Sequence, residues 1–226
     1  MKISPILKRI SYFIFFIFLA QAYGQETILP LTTGGWVGGL SGNVGWDDYS
    51  SSASNPTEYD SKTEGFGFTI SSRNGQFVMN NLSVGFDFQW NEYDLNTKYM
   101  DGSEDNKTNR LGFFGLWSRY YIPFIGTGWA IFPEVSLGYG NFKSINDPSD
   151  PQTDLQKKET SADGFAYNLG LGATMFVSNN VAFETTLRYQ GGTLKGDLND
   201  EGIQYDNLEI ELSNIDILFG IMIYLR

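Results

Sequence analysis

The sequence contains no cysteine and no histidine. Without cysteine, an exported form of this chain is stabilised by its core or by lipid and not by disulfides. Without histidine, the commonest general base is missing, and the thiol nucleophile is missing with it. Ser–His and Cys–His hydrolytic chemistry is therefore excluded, and any acid–base work would fall to carboxylates. Cations are scarce: 15 Lys and Arg stand against 26 Asp and Glu, a net charge of −11. A surface of that sign does not bind nucleic acid, whose phosphates need a basic partner. Long apolar runs are also lacking. The segment "IDILFGIMIYL" near the C-terminus is interrupted by Asp216 and falls short of the ~20 residues a helical span requires.

What is present begins with an export signal. Lys2, Lys8 and Arg9 precede the apolar run "ISYFIFFIFLA", and small residues follow at Ala20, Ala22 and Gly24. This order of charge, short apolar stretch and small residues is that of a secretory signal peptide. Cleavage is expected after Gly24, with Ala22 as the alternative end, leaving residues 25–226 as one β-barrel domain. Removing three cations from the 15 leaves 12 against 26 acids, a mature charge of −14.

Beyond residue 33 the pattern alternates with period two, the period of a strand with one apolar face. Eight strands are expected, near 34–47, 60–71, 81–92, 109–122, 129–143, 162–174, 181–191 and 207–226. In the third, Leu82, Val84, Phe86, Phe88 and Trp90 oppose Ser83, Gly85, Asp87 and Gln89. In the last, Ile215, Ile217, Phe219, Ile221, Ile223 and Leu225 oppose Asn214, Asp216, Gly220 and Tyr224. The fourth is apolar on both faces; Phe114, Leu116 and Tyr120 are assigned to the apolar side and Arg119 to the other.

The connections alternate too. Long polar segments at 48–59, 93–108, 144–161 and 192–206 follow the odd strands, while "SRNGQ", "PFIGTG" and "FVSNN" follow the even ones. An up-and-down sheet with two unlike ends has this rhythm, and outer-membrane barrels combine it with an even strand number and alternating segments of ~10 residues. Alternation also suits a soluble secreted β-sandwich, with the apolar faces turned inward. Three features favour a transmembrane barrel. The polar faces carry Gly, Ser, Asn and charges of both signs, as a narrow lumen requires. Trp36, Trp46, Trp90, Trp129 and Tyr189 fall near strand ends, where a membrane interface places aromatics. The loop lengths alternate regularly. The fold class expected is all-β: an eight-stranded antiparallel up-and-down transmembrane barrel with long extracellular loops and short periplasmic turns.

The stretch "RYYIPFIGTGWAIFPEVSLGYG" at 119–140, and the two copies of Phe-Val-x-Asn-Asn at 77–81 and 176–180, each followed by an alternating strand, resemble the small outer-membrane β-barrel domain family, the OmpA- and OmpW-like eight-stranded barrels of Gram-negative bacteria. The resemblance implies an outer-membrane location, contact with lipid and handling by the barrel-assembly machinery. The chain departs from the family's usual aromatic C-terminal residue, ending Tyr224-Leu225-Arg226.

The inward-phase charges are Asp87, Arg119, Glu134, Glu184, Arg188 and Asp216. Eight strands enclose an interior just wide enough for side chains, so these six are expected to form a salt-bridge network filling the lumen. In a conduit they would instead line a polar path. "DLNDEG" at 197–202 begins like a calcium loop, but the bidentate acid expected at its twelfth position falls on Leu208. The acidic loops are read as solvated polarity; an extracellular ligand for them is not identifiable. No cofactor and no catalytic residue is expected. Two functions remain: a structural or surface-interaction barrel with a filled lumen, or a small-molecule conduit across the outer membrane, whose cargo on the family resemblance includes apolar compounds.

Overall fold

The structure, a computed structural model, describes residues 29–51, 61–99, 104–124, 126–148, 158–200 and 203–226. The signal-peptide segment lies outside these, as do the side chains of Trp46 and of the 197–202 segment.

The described chain is almost entirely strand: β1 Trp36–Ser51, β2 Ser61–Met79, β3 Leu82–Tyr99, β4 Glu104–Tyr120, β5 Ile122–Phe124, β6 Trp129–Pro148, β7 Lys158–Phe176, β8 Val181–Asp200 and β9 Ile203–Leu225. From β1 to β4 and from β5 to β9 each strand pairs antiparallel with the next, β4 pairs with β6, and β1 pairs with β9. The ring so closed has eight staves; β5 is a short extra piece paired only with the foot of β6. This is the expected all-β, eight-stranded antiparallel ring.

The staves are longer than their apolar alternation suggested. Where they are described, the polar segments read as long loops are ladder: β3 and β4 stay in register to Lys98–Glu104, and β7 and β8 to Glu159–Asn199. Alternation ends where the apolar face ends, but backbone pairing does not need an apolar face. On these upper parts the outward face becomes charged, with Arg110–Glu92 and Lys98–Glu104 pairs, each at 3.2 Å, and a Lys143–Glu159 pair. Below them the outward face is an apolar belt, including Leu40, Phe86, Leu116, Leu171, Ile217 and Ile223, all exposed. On β3 the belt runs from Leu82 to Trp90, about 27 Å along the strand at ~3.4 Å per residue, or roughly 20 Å in height at a ~40° tilt.

The turns at the end carrying the described chain termini differ from expectation in detail. "SRNGQ" is not a turn but part of β2, which continues to Met79. The reversal is made by Asn80 and Asn81, the latter in the left-handed region at φ 67°, a conformation Asn tolerates better than most residues. The two Phe-Val-x-Asn-Asn copies are not one turn used twice. In the first, Met79 pairs with Leu82 across a two-residue reversal, and Asn80 accepts hydrogen bonds from Thr33. In the second, Val177 and Ser178 donate to the Val181 carbonyl, and the Asn180 amide donates to the Tyr224 carbonyl at 2.6 Å.

One join in the ring is short. β1 and β9 share seven pairs, from Trp36–Leu225 to Gly42–Phe219, whereas every other joint between staves has fifteen to nineteen. Above Gly42 the Asn43 amide reaches across the seam to Asp216, at 3.4 Å.

Candidate functional site: the filled lumen

The inward side chains fill the lumen in layers. At the termini end, Phe77, Tyr121, Phe132, Phe176 and Tyr224 pack with Leu31, Val37, Trp117 and Met222 into a buried aromatic cluster. Leu31 comes from the segment before β1, so the chain closes its own lumen from below.

Charge lies directly on this cluster. Arg119 of β4 is 1% exposed, and its guanidinium carbon stands 3.7 Å above the Phe132 ring centroid, a cation–π approach. Its Nε and Nη2 donate to Glu134 Oε2 at 3.0 and 2.7 Å; its Nη1 donates to both oxygens of Glu184 at 2.7 Å and to the Tyr121 hydroxyl at 3.0 Å. Glu134 also accepts from the Trp117 indole at 3.2 Å, and Glu184 from the Tyr224 hydroxyl at 3.1 Å. Glu134 sits beside Arg119 on the neighbouring stave β6, whereas Glu184 reaches it from β8.

Above lies a second group. Asp87 accepts from the Ser71 hydroxyl at 3.0 Å and the Ser136 hydroxyl at 2.8 Å. Arg188 pairs with Asp216 at 2.7 Å and donates to the Gln89 carbonyl at 2.6 Å. Asn168 donates to both Asp87 and Gln89 at 3.5 Å. The amide of Gln89 then joins Asn91 at 2.9 Å and Gln190 at 3.4 Å.

The structure buries Asp87, Arg119, Glu134, Glu184 and Arg188 and pairs Asp216 with Arg188, and hydrogen bonds and ion pairs link these six charges through shared neighbours. A seventh was not foreseen. Arg73, assigned to a turn, is 2% exposed and places its guanidinium 3.1 Å from Glu134 and 3.7 Å from Asp87. It joins the two groups. The signal was available: Thr69, Ser71 and Arg73 continue one period-two face, but Asn74-Gly75 reads as a reversal.

Small residues make the room. Gly170 of β7 lies in one row between Glu134 and Arg188. A Cβ there would come 2.5 Å from the Glu134 Cγ, so the glycine is what lets a glutamate and an arginine lie on flanking staves.

No family model matches the chain, and no curated protein does. Solved structures do. The major outer membrane protein of Thermus thermophilus is 10% identical over 84% of this chain and 99% of its own, with a TM-score of 0.51. The neighbours are outer-membrane β-barrels. OprG from Pseudomonas aeruginosa is 13% identical, covering 88% of this chain and 99% of its own at a TM-score of 0.49. The N-terminal barrel domain of Pseudomonas aeruginosa OprF is 12% identical, covering 86% and 98% at 0.37. The Thermus likeness carries the barrel fold; the lumen chemistry is read from this chain's own residues.

Proposed function

We propose that this chain is an outer-membrane β-barrel with a closed lumen, serving a structural or surface-interaction role. The observation that carries this is the Arg119 cluster seated on the aromatic cluster: guanidinium, carboxylates and phenols meet across the lumen at hydrogen-bond distance. Such a layer supports a lumen without a continuous water path. The apolar belt supports lipid on the outside, since a soluble protein seldom exposes so continuous an apolar face. The charged collar above it supports strands that continue into water. In this reading the short-turn end, which also carries the termini, faces the periplasm, and the long staves project outward. Residues 1–24 are the cleaved signal, lipid is the main partner, and the barrel-assembly machinery inserts the chain.

The reading is non-enzymatic. The inward acids Glu134 and Glu184 are the best acid–base pair the chain offers, yet both spend their oxygens on Arg119, Arg73, Trp117 or Tyr224.

Planar-bilayer recordings of the refolded protein test the closed lumen. Silence is expected; steady conductance across many insertions would establish the conduit. Gel migration with and without boiling tests the barrel itself, and identical migration together with solubility in detergent-free buffer would refute it.

A further inference from the structure

The apolar belt is interrupted on β2. Thr69, Ser71 and Arg73 are buried, whereas Phe66, Ile70 and Val78 are exposed, so the even-numbered positions face outward. Between Ile70 and Val78 those positions hold Ser72, Asn74 and Gln76. The neighbouring staves stay apolar or bare at the same register: Leu40 and Phe88 flank Ser72, Gly38 and Phe86 flank Asn74, and Trp36 and Val84 flank Gln76. Gln76 lies towards the termini end and donates to the Gly34 carbonyl at 3.2 Å. Asn74 donates to the Ser72 hydroxyl at 3.0 Å. That spends one of two amide hydrogens, and among the described residues nothing donates to the Asn74 carbonyl.

This carboxamide is accessible. Asn74 is exposed and lines an outward groove of about 620 Å³. The groove crosses β1 at Gly38 and reaches Ile223 and Leu225 of β9 on its far side. A Cβ on Gly38 would stand 2.6 Å from Asn74 Oδ1, so the carbonyl leans over the bare glycine into the groove. Acyl chains offer such a group no hydrogen bond, and headgroups lie beyond the belt. A second protein wall does offer one. A carboxamide is its own complement: its carbonyl accepts from the N–H of an identical group, which accepts in return. Two copies inserted in the same direction are related by a two-fold axis along the membrane normal, and such an axis sets like residues against each other.

We propose that the face formed by β9, β1 and β2 is a homodimer interface within the membrane, centred on Asn74. The two Asn74 amides bond reciprocally, Gly38 lets the walls approach closely, and Leu40 and Ile223 pack around them. The interface spans the seven-pair joint between β1 and β9 and braces it. The inference rests on the outer-membrane reading, which puts lipid on the belt.

The test uses the refolded full-length mature protein in phospholipid vesicles, with subunits counted by single-molecule photobleaching as the protein-to-lipid ratio is varied. Dimers are expected. Asn74→Leu removes both amide bonds and should raise the dissociation constant about tenfold. Gly38→Ala displaces the carbonyl and should weaken the dimer too. Ser118→Leu, a similar change on the outward face of β4, should leave it unchanged. The chain has no cysteine, so a short bismaleimide reads the contact in single-cysteine variants: Leu40→Cys should give covalent dimers, and Leu171→Cys on β7 should not. A parent chain that stays monomeric at every density would overturn the proposal. So would dimers that neither Asn74→Leu nor Gly38→Ala weakens, or that Leu171→Cys traps as well as Leu40→Cys does. If Asn74→Leu misassembles, the cross-linking comparison decides. Heat-modifiable migration is read on the same samples: its absence would sink the outer-membrane reading, whereas a heat-modifiable monomer sinks the dimer alone.

Discussion

Arg119 and Glu184 meet from β4 and β8, 65 residues apart in sequence, with one guanidinium nitrogen 2.7 Å from both carboxylate oxygens. Both are buried. Removing one partner of such a pair strands the other, at a cost of roughly 3–5 kcal/mol. Arg119→Met is expected to lower the urea midpoint of the refolded protein accordingly. Arg119→Met combined with Glu184→Met should recover part of that loss, because Glu134 keeps Arg73 as a partner. A double variant no more stable than the single one would show that the pair is not coupled.

Arg73 faces both Asp87 and Glu134. Arg73→Gln should destabilise by about 1–3 kcal/mol, the cost of leaving buried polar groups short of a partner. A turn residue would move stability by no more than ~0.5 kcal/mol. Equilibrium unfolding distinguishes these two magnitudes.

Gly170 and Gly45 make a matched pair. A Cβ on Gly170 meets Glu134 at 2.5 Å, while one on Gly45 meets nothing within 4 Å. Gly170→Ala is expected to cost about 1–3 kcal/mol by overpacking, and Gly45→Ala to be neutral or slightly favourable. Thermal shifts of heat-modifiable migration for the two variants test this side by side.

Leu116 lies in the middle of the apolar belt and is exposed. If lipid covers it, Leu116→Arg costs about 2–4 kcal/mol in a bilayer. In water the same change would be near neutral. Refolding yields into vesicles separate the outcomes.

Asn81 is held by its backbone on both sides: its N–H donates to the Leu31 carbonyl at 2.9 Å, and its carbonyl accepts from Tyr121 at 2.7 Å. At φ 67° a β-branched residue is strained by about 1–3 kcal/mol, so Asn81→Val should destabilise by that amount while Asn81→Gly does not. Unfolding midpoints of the two variants are the check.

The ring was legible because period-two alternation reports which face meets the apolar surroundings. Leu82 to Trp90 and Ile215 to Leu225 are placed outward as their pattern demands. Arg119 shows the same rule working in an ambiguous strand, where a single charge fixes the phase. The pattern went silent where both faces turn polar, so the upper ends of β3, β4, β7 and β8 read as loops. Arg73 was missed for a local reason: Asn-Gly carries turn chemistry, but here it lies within a continuous ladder. Hydrogen-bond satisfaction was not legible at all, because it depends on residues far away in the chain. The distinct jobs of the two Asn-Asn pairs depend in the same way on Thr33 and on Tyr224.

The seven-pair join between Trp36–Gly42 and Phe219–Leu225 sets the mechanics of the whole ring. A hoop yields at its weakest stave joint, whatever the strength of the others. Lateral stretch, denaturant or a rise in temperature is therefore expected to act first on this line, uncurling the cylinder into a sheet whose edges are β1 and β9. The hoop's strength resides in the lower part of a single joint, and the rest of the wall is reinforcement that this joint must first release.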